Sequence, residues 1–251
     1  MLLAYALARF IDFPLSNLSL QLPGLFLSLQ INLRTLVTLL VAGQAAAGAA
    51  WLIQKHPAAG QHFRPEHYMI PTLTAWVIGT PLFQIPLGFL WWAGFLLGGT
   101  ILTMVMIAEY IVVDPDDARQ PLASAGLTVV SFALYLILAA SLRYANLRLF
   151  LILPALTLAA GLICLRTLHL RLHGKWALLQ TGILMLLVGQ LIAALHYWPI
   201  PPVSYALALL GAAYSLTNLL GSLADEKTLQ QAWIEPVVML VIFWAAAVLV
   251  R

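Results

Sequence analysis

Charge is what this chain has least of. Only 8% of its 251 residues are Asp, Glu, Lys or Arg, against about 25% in a soluble domain, so a water-facing surface cannot be assembled over this length. Cysteine is nearly missing as well. Cys164 stands alone, which excludes an intramolecular disulfide and argues against a thiolate metal site. No basic stripe interleaved with aromatics accompanies the net charge of +3, so no nucleic-acid partner is expected. Met1–Phe10 carries Arg9 after its apolar stretch, the reverse of a cleavable signal peptide. The first spanning helix is therefore expected to direct its own insertion. Gly-x-Ser-x-Gly, His-Glu-x-x-His and phosphate-loop spacings do not occur. Nor does a ladder of charged residues follow any apolar tract, as an ion pump or proton relay needs.

What the chain does have is oil: 63% of residues are hydrophobic and the mean hydropathy is +0.96. A hydrocarbon layer about 30 Å thick takes roughly 20 helical residues to cross. Eight tracts approach that length: Arg34–Ile53, Met69–Gln84, Leu87–Val113, Leu122–Leu142, Leu147–Leu168, Trp176–Tyr197, Val203–Leu223 and Ile234–Val250. The predicted fold is all-α, a polytopic transmembrane bundle of seven or eight spanning helices over residues 34–251, preceded by an interfacial segment over 1–33. The count turns on Met69–Gln84, which is short and followed by Pro86; a re-entrant helix there would leave seven crossings. Trp51, Trp176, Tyr197, Trp198 and Trp233 fall near tract ends, as aromatic belts do. The uncharged turn Trp198–Pro202 predicts a tight hairpin between two antiparallel helices.

Three local patterns add expectations. Gly43 and Ala45–Ala50 make a small-residue surface that lets backbones approach, so the first helix is expected inside the bundle. Gln44, Gln180, Gln190 and Asn218 are expected to hydrogen-bond between helices. Leu18–Leu22 and Leu27–Leu33 alternate apolar and polar residues with a period of two around Pro23-Gly24. They read as an amphipathic ribbon on the membrane surface or as a strand that pairs with a partner chain. If eight segments cross, one side collects Lys55, Arg64, Arg119, Arg166, Arg171, Lys175 and Lys227, and the other Arg9, Arg34, Arg143, Arg148 and Arg251. This leans toward the first side being cytoplasmic.

Chemistry has few places to sit. Glu109 lies inside an apolar tract, where an ionised carboxylate is expensive and must face a partner, a cavity or the interface. Asp114, Asp116 and Asp117 follow it and have the character of hard-cation ligands, but no metal-enzyme spacing accompanies them, and a solvated loop that caps the next helix is the expectation adopted. Two helices further on, Arg166, His169, Arg171, His173 and Lys175 fall on the same membrane side. Acid and base together there would suit a lipid diphosphate, while headgroup anchoring or a salt bridge between loops explains them more simply. His56, His62 and His67 share one connecting loop, either as a polar connector or as a metal- or pH-responsive group. No cofactor and no metal is expected.

Several pieces together resemble an uncharacterised family of bacterial polytopic membrane proteins, a domain of unknown function. They are Leu22-Pro23-Gly24 with Asn32–Thr35, Gly48–Pro57, Glu109–Pro115, Leu165–Leu168 and Tyr197-Trp198-Pro199. The resemblance implies seven or eight helices in a bacterial cytoplasmic membrane and supplies no activity. It directs attention to Trp51, His56, Pro57, Glu109, Tyr110, Asp114 and Arg166. Three functions remain open from the residues: a non-enzymatic scaffold, assembly factor or accessory subunit, which is the expectation adopted; an enzyme on a lipid or polyprenyl phosphate; or a passive small-solute carrier using the Pro81–Pro86 break. The expected partners are membrane lipids, and other membrane proteins or a second copy.

Overall fold

The computed structural model describes residues 2–10, 16–22, 25–31, 33–57, 65–172, 174–225 and 228–250. Eight helices make the body: α2 (Leu33–Gln54), α3 (Met69–Leu82), α4 (Phe89–Val112), α5 (Gln120–Tyr144), α6 (Leu149–Arg171), α7 (Leu178–His196), α8 (Pro202–Ala224) and α10 (Ile234–Leu249). A short α1 (Leu2–Phe10) precedes them, and a single turn, α9 (Leu229–Ala232), leads into α10. The structure is a helical bundle, and among the described residues six helices are long and apolar enough to cross a membrane: α2 and α4 through α8. It is a multi-span membrane protein.

The chain runs up and down between two ends. At one end His56 meets Tyr110, Glu109 meets Arg166 and Arg171 meets Asp225, which joins the C-terminal ends of α2, α4, α6 and α8. At the other, Gln84 donates to the Ser141 carbonyl at 3.1 Å and Arg143 reaches the turn after α7. We refer to these as the charged end and the hairpin end. Met69–Leu82 is thereby placed. Ile70 packs with Ala123 and Leu127 near the start of α5, while Gln84 touches Ser141 near its finish. The short helix therefore runs through the bundle beside α5 and does not turn back. At 14 residues it is about 21 Å long. Nine of those residues are buried, so protein surrounds it and lipid thickness does not set its length.

Close approach replaces the hydrophobic drive that lipid withholds. A side chain at Gly211 would strike Phe243 of α10, and one at Gly79 would strike the Tyr5 ring of α1. Tyr5 is held there by a 2.6 Å bond from its hydroxyl to the Ala75 carbonyl. The largest core cluster joins α3, α5, α6, α7 and α8 through Leu73, Leu138, Leu156, Val188 and Leu209.

Two sequence expectations are corrected. Only one face of α2 packs inside: Val41, Ala45 and Ala49 are buried against the bundle, whereas Gly43, Gln44 and Ala47 are exposed. The small residues encircle the helix, and rotation about its axis decides which ones meet a neighbour. Gln44 and Gln190 likewise face outward, their side-chain amides bonded to none of the described residues, whereas Asn218 donates to Glu235 Oε1 at 3.3 Å. The alternating N-terminal segments form strands β1 (Ser16–Leu22) and β2 (Leu25–Ile31), which pair antiparallel with Leu22 opposite Leu25. They pair with each other. Pro23 and Gly24 lie outside the described residues.

Candidate functional site

The charged end gathers its groups from three places far apart in the chain. Glu109 sits in the last turn of α4, Arg166 in the last turns of α6, and His67 in a single 3-10 turn, Pro65–Tyr68, that leads into α3. They are 1%, 2% and 4% exposed. The Arg166 guanidinium grips the Glu109 carboxylate as a fork: Nε donates to Oε1 at 3.2 Å and Nη2 donates to Oε2. His67 Nδ1 lies 2.8 Å from the same Oε2 and 3.1 Å from Arg166 Nη2. An ionised carboxylate only accepts, so Nδ1 carries the proton in this contact, and both nitrogens converge on one oxygen.

The physics of this arrangement is a clasp. An unpaired carboxylate in hydrocarbon is costly, and a bidentate guanidinium is the group that best neutralises it. Three segments are tied at one point, because the carboxylate, the guanidinium and the imidazole each belong to a different one. Removing one partner of such a pair costs about 3–5 kcal/mol, chiefly because the other charge is left buried and uncompensated.

Around the clasp the other charges are spent locally. Arg171 donates from Nε to Asp225 Oδ2 at 2.8 Å and from Nη2 to Ser222 Oγ at 3.1 Å, fastening α6 to the end of α8. Asp117 accepts from the Arg119 backbone at 2.8 Å and from its guanidinium, and Asp114 Oδ1 accepts from the Asp116 backbone at 3.1 Å. The hydrogen bonds from Arg119 hold the Asp117 carboxyl below its ordinary value. Lys175 lies with Trp176, Gln180 and Asp225 along an open groove. His169 leans on Trp176 at 4.8 Å between ring centres, with Nε2 3.9 Å from Glu66. Tyr110 packs edge-on against His56 at 4.4 Å, and Lys55 sits 4.0 Å over the Trp51 ring; Pro57, beside them, is exposed.

Among the described residues no hydrogen bond or ion pair joins Asp114, Asp116 or Asp117 to Arg166, Arg171 or Lys175. The described contacts of Asp114, Asp116 and Asp117 stay within their own loop, while Arg166 and Arg171 pair with Glu109 and Asp225. Among the described residues no three His, Cys, Asp or Glu side chains gather as metal ligands would. His62 and His173 lie outside the described residues. Sequence reading singled out Glu109 and Arg166 separately, and treated His67 as one of three loop histidines. The signal for His67 was its position, directly before the first apolar residues of α3.

The hairpin end is built differently. Arg143 donates from Nη1 to the His196 carbonyl at 2.7 Å and from Nη2 to the Trp198 carbonyl at 2.8 Å, satisfying acceptors at the end of α7. Its guanidinium also lies 5.1 Å over the Tyr205 ring.

Residues 13–250 match the family DUF5656, proteins of unknown function, and the chain belongs to that family. No curated protein and no solved structure matches it.

Proposed function

We propose that this protein is a non-enzymatic scaffold or accessory subunit of a membrane complex, and that it holds a partner transmembrane helix on the outer face of α2. The observation that carries this reading is the groove there. Gly43 has open space where a side chain would be, Ala47 follows one turn on, and Leu36, Leu39 and Leu40 flank them. Gln44 lies in the groove with its amide bonded to none of the described residues. Small residues one turn apart admit a second backbone, and an amide in hydrocarbon gains about 0.6–2 kcal/mol from an interhelical hydrogen bond. The fitting partner is a helix with its own small-residue face and an amide or hydroxyl opposite Gln44. The inward-turned clasp supports the same reading, since its charges serve cohesion. A bacterial cytoplasmic membrane is the proposed setting, on the strength of the family resemblance.

The test compares purified complexes in mild detergent. Gly43→Leu and Ala47→Leu are expected to release a membrane protein that copurifies with the wild type, while each variant stays folded. Leu186→Ala, on the exposed face of α7, should release nothing. A wild-type chain that purifies as a clean, stable monomer, or Leu variants that keep their partner, contradicts the proposal.

A further inference from the structure

A second feature lies at the hairpin end, away from both the clasp and α2. A cavity of about 220 Å³ opens between the α7–α8 hairpin and the C-terminal half of α10. Leu195, Trp198 and Ile200 form one wall, Trp244, Ala247 and Val248 the other, and Ser204 and Ala208 of α8 the floor. Pockets for whole drug-sized ligands run from about 300 to 1,000 Å³, so this one takes a segment of a chain rather than a complete lipid.

Its floor carries an unanswered polar group. Ser204 is 1% exposed, yet its Oγ has no hydrogen-bond partner among the described residues. A buried hydroxyl without a partner is uncommon, and a hydroxyl usually turns back to a carbonyl of its own helix, as Thr217 does to Ala213. Ser204 also stands in the first turn of α8, which opens at Pro202 after Pro201 and has no side-chain cap from the described residues. Free amide hydrogens and the positive end of the helix dipole favour an acceptor oxygen there. Hydroxyl, helix start and apolar walls thus describe one ligand: an oxygen at the floor, hydrocarbon along the tryptophans.

We infer that this cavity binds a lipid acyl chain by its carbonyl end, with Ser204 Oγ donating to the carbonyl oxygen and the alkyl chain lying between Trp198 and Trp244. The carbonyl belongs either to a free fatty acid or to a glycerolipid ester, and the chemistry at Ser204 is the same. Arg143, the neighbouring cation, already holds the His196 and Trp198 carbonyls.

The experiment is photolabelling of the full-length protein in phospholipid nanodiscs, read by peptide mass spectrometry. Three probes carry a diazirine near one end of a 16-carbon chain: a fatty acid, a phosphatidylcholine with that acyl group, and a hydrocarbon lacking any carbonyl. One or both carbonyl probes are expected to label residues 195–208 and 244–248 above the lipid-facing Leu96–Leu97 stretch of α4. Labelling by the acid alone identifies a free fatty acid; labelling by the ester identifies a glycerolipid. Ser204→Ala removes one hydrogen bond and should lower carbonyl-probe labelling by a factor of about 2–10 while leaving the hydrocarbon unchanged. Ala208→Phe fills the floor and should reduce labelling by all three, with Leu96–Leu97 unaffected. Labelling no stronger than at Leu96–Leu97, or equal labelling of Ser204→Ala and wild type by the carbonyl probes, overturns the inference.

Discussion

The two ends of this bundle use the same side chain for opposite purposes. At the charged end Arg166 is buried and spends its fork on the Glu109 carboxylate, with His67 closing on the same oxygen. At the hairpin end Arg143 spends its fork on two backbone carbonyls and draws the turn after α7 against α5. One arginine neutralises a charge that the membrane interior would otherwise punish; the other satisfies acceptors that a helix end leaves over. The difference teaches where stability is at risk. A broken pair at the first end strands an ion, whereas a broken bond at the second exposes dipoles that interfacial water can serve.

The largest effect should therefore follow Arg166→Met. It leaves Glu109 buried without its counter-charge and is expected to cost about 3–5 kcal/mol, seen as a large drop in thermal unfolding midpoint in detergent. Arg143→Ala should cost less, about 1–3 kcal/mol, because each lost bond runs from a charged donor to a carbonyl that water can reach. If the two variants unfold alike, the contrast between the ends is wrong. Arg171→Ala is a finer test within the charged end. Its bond to Asp225 is about one-third exposed at both partners, and such pairs contribute at most about 1 kcal/mol. A loss near that of Arg166→Met would mean that burial is not what separates them.

The smallest effect concerns Asp117. Its folded-state carboxyl titrates below the usual 3.8 because Arg119 hydrogen-bonds to it. A depressed carboxylate contributes stability above its unfolded pKa and loses it as pH falls through the folded one. In this exposed loop the stability consequence is negligible, but the titration itself is readable. Arg119→Ala keeps the backbone bond but should move the Asp117 midpoint up toward 3.8 by NMR, and an unmoved midpoint would remove the Arg119 side chain as the cause.

Much of this architecture was legible in the residues, and the reasons are local. Apolar length and the breaks at Lys55–Pro57, Asp114–Asp117 and Trp198–Pro202 set the helices within a few residues, because lipid thickness and backbone satisfaction leave little freedom. The period-two pattern of 16–31 likewise became a hairpin. What stayed hidden was relational. Nothing in positions 67, 109 and 166 announces that three separate segments converge, since their separations exceed any helical period. The outward turn of Gly43 and Ala47 was hidden for the same reason. Small residues cover α2 on every side, and only packing against α3 decides that Ala45 and Ala49 face in. Ser204 looks like an ordinary helix-start serine until the cavity beside it is seen.

The most direct test of the clasp is a double-mutant cycle on Glu109 and Arg166, read by unfolding in mild detergent. Arg166→Met and Glu109→Leu should each be strongly destabilising alone, and the combined variant should recover most of the lost stability, because it leaves no buried charge behind. A combined loss equal to the sum of the two single losses would show that the carboxylate and guanidinium act independently, and the clasp would not exist.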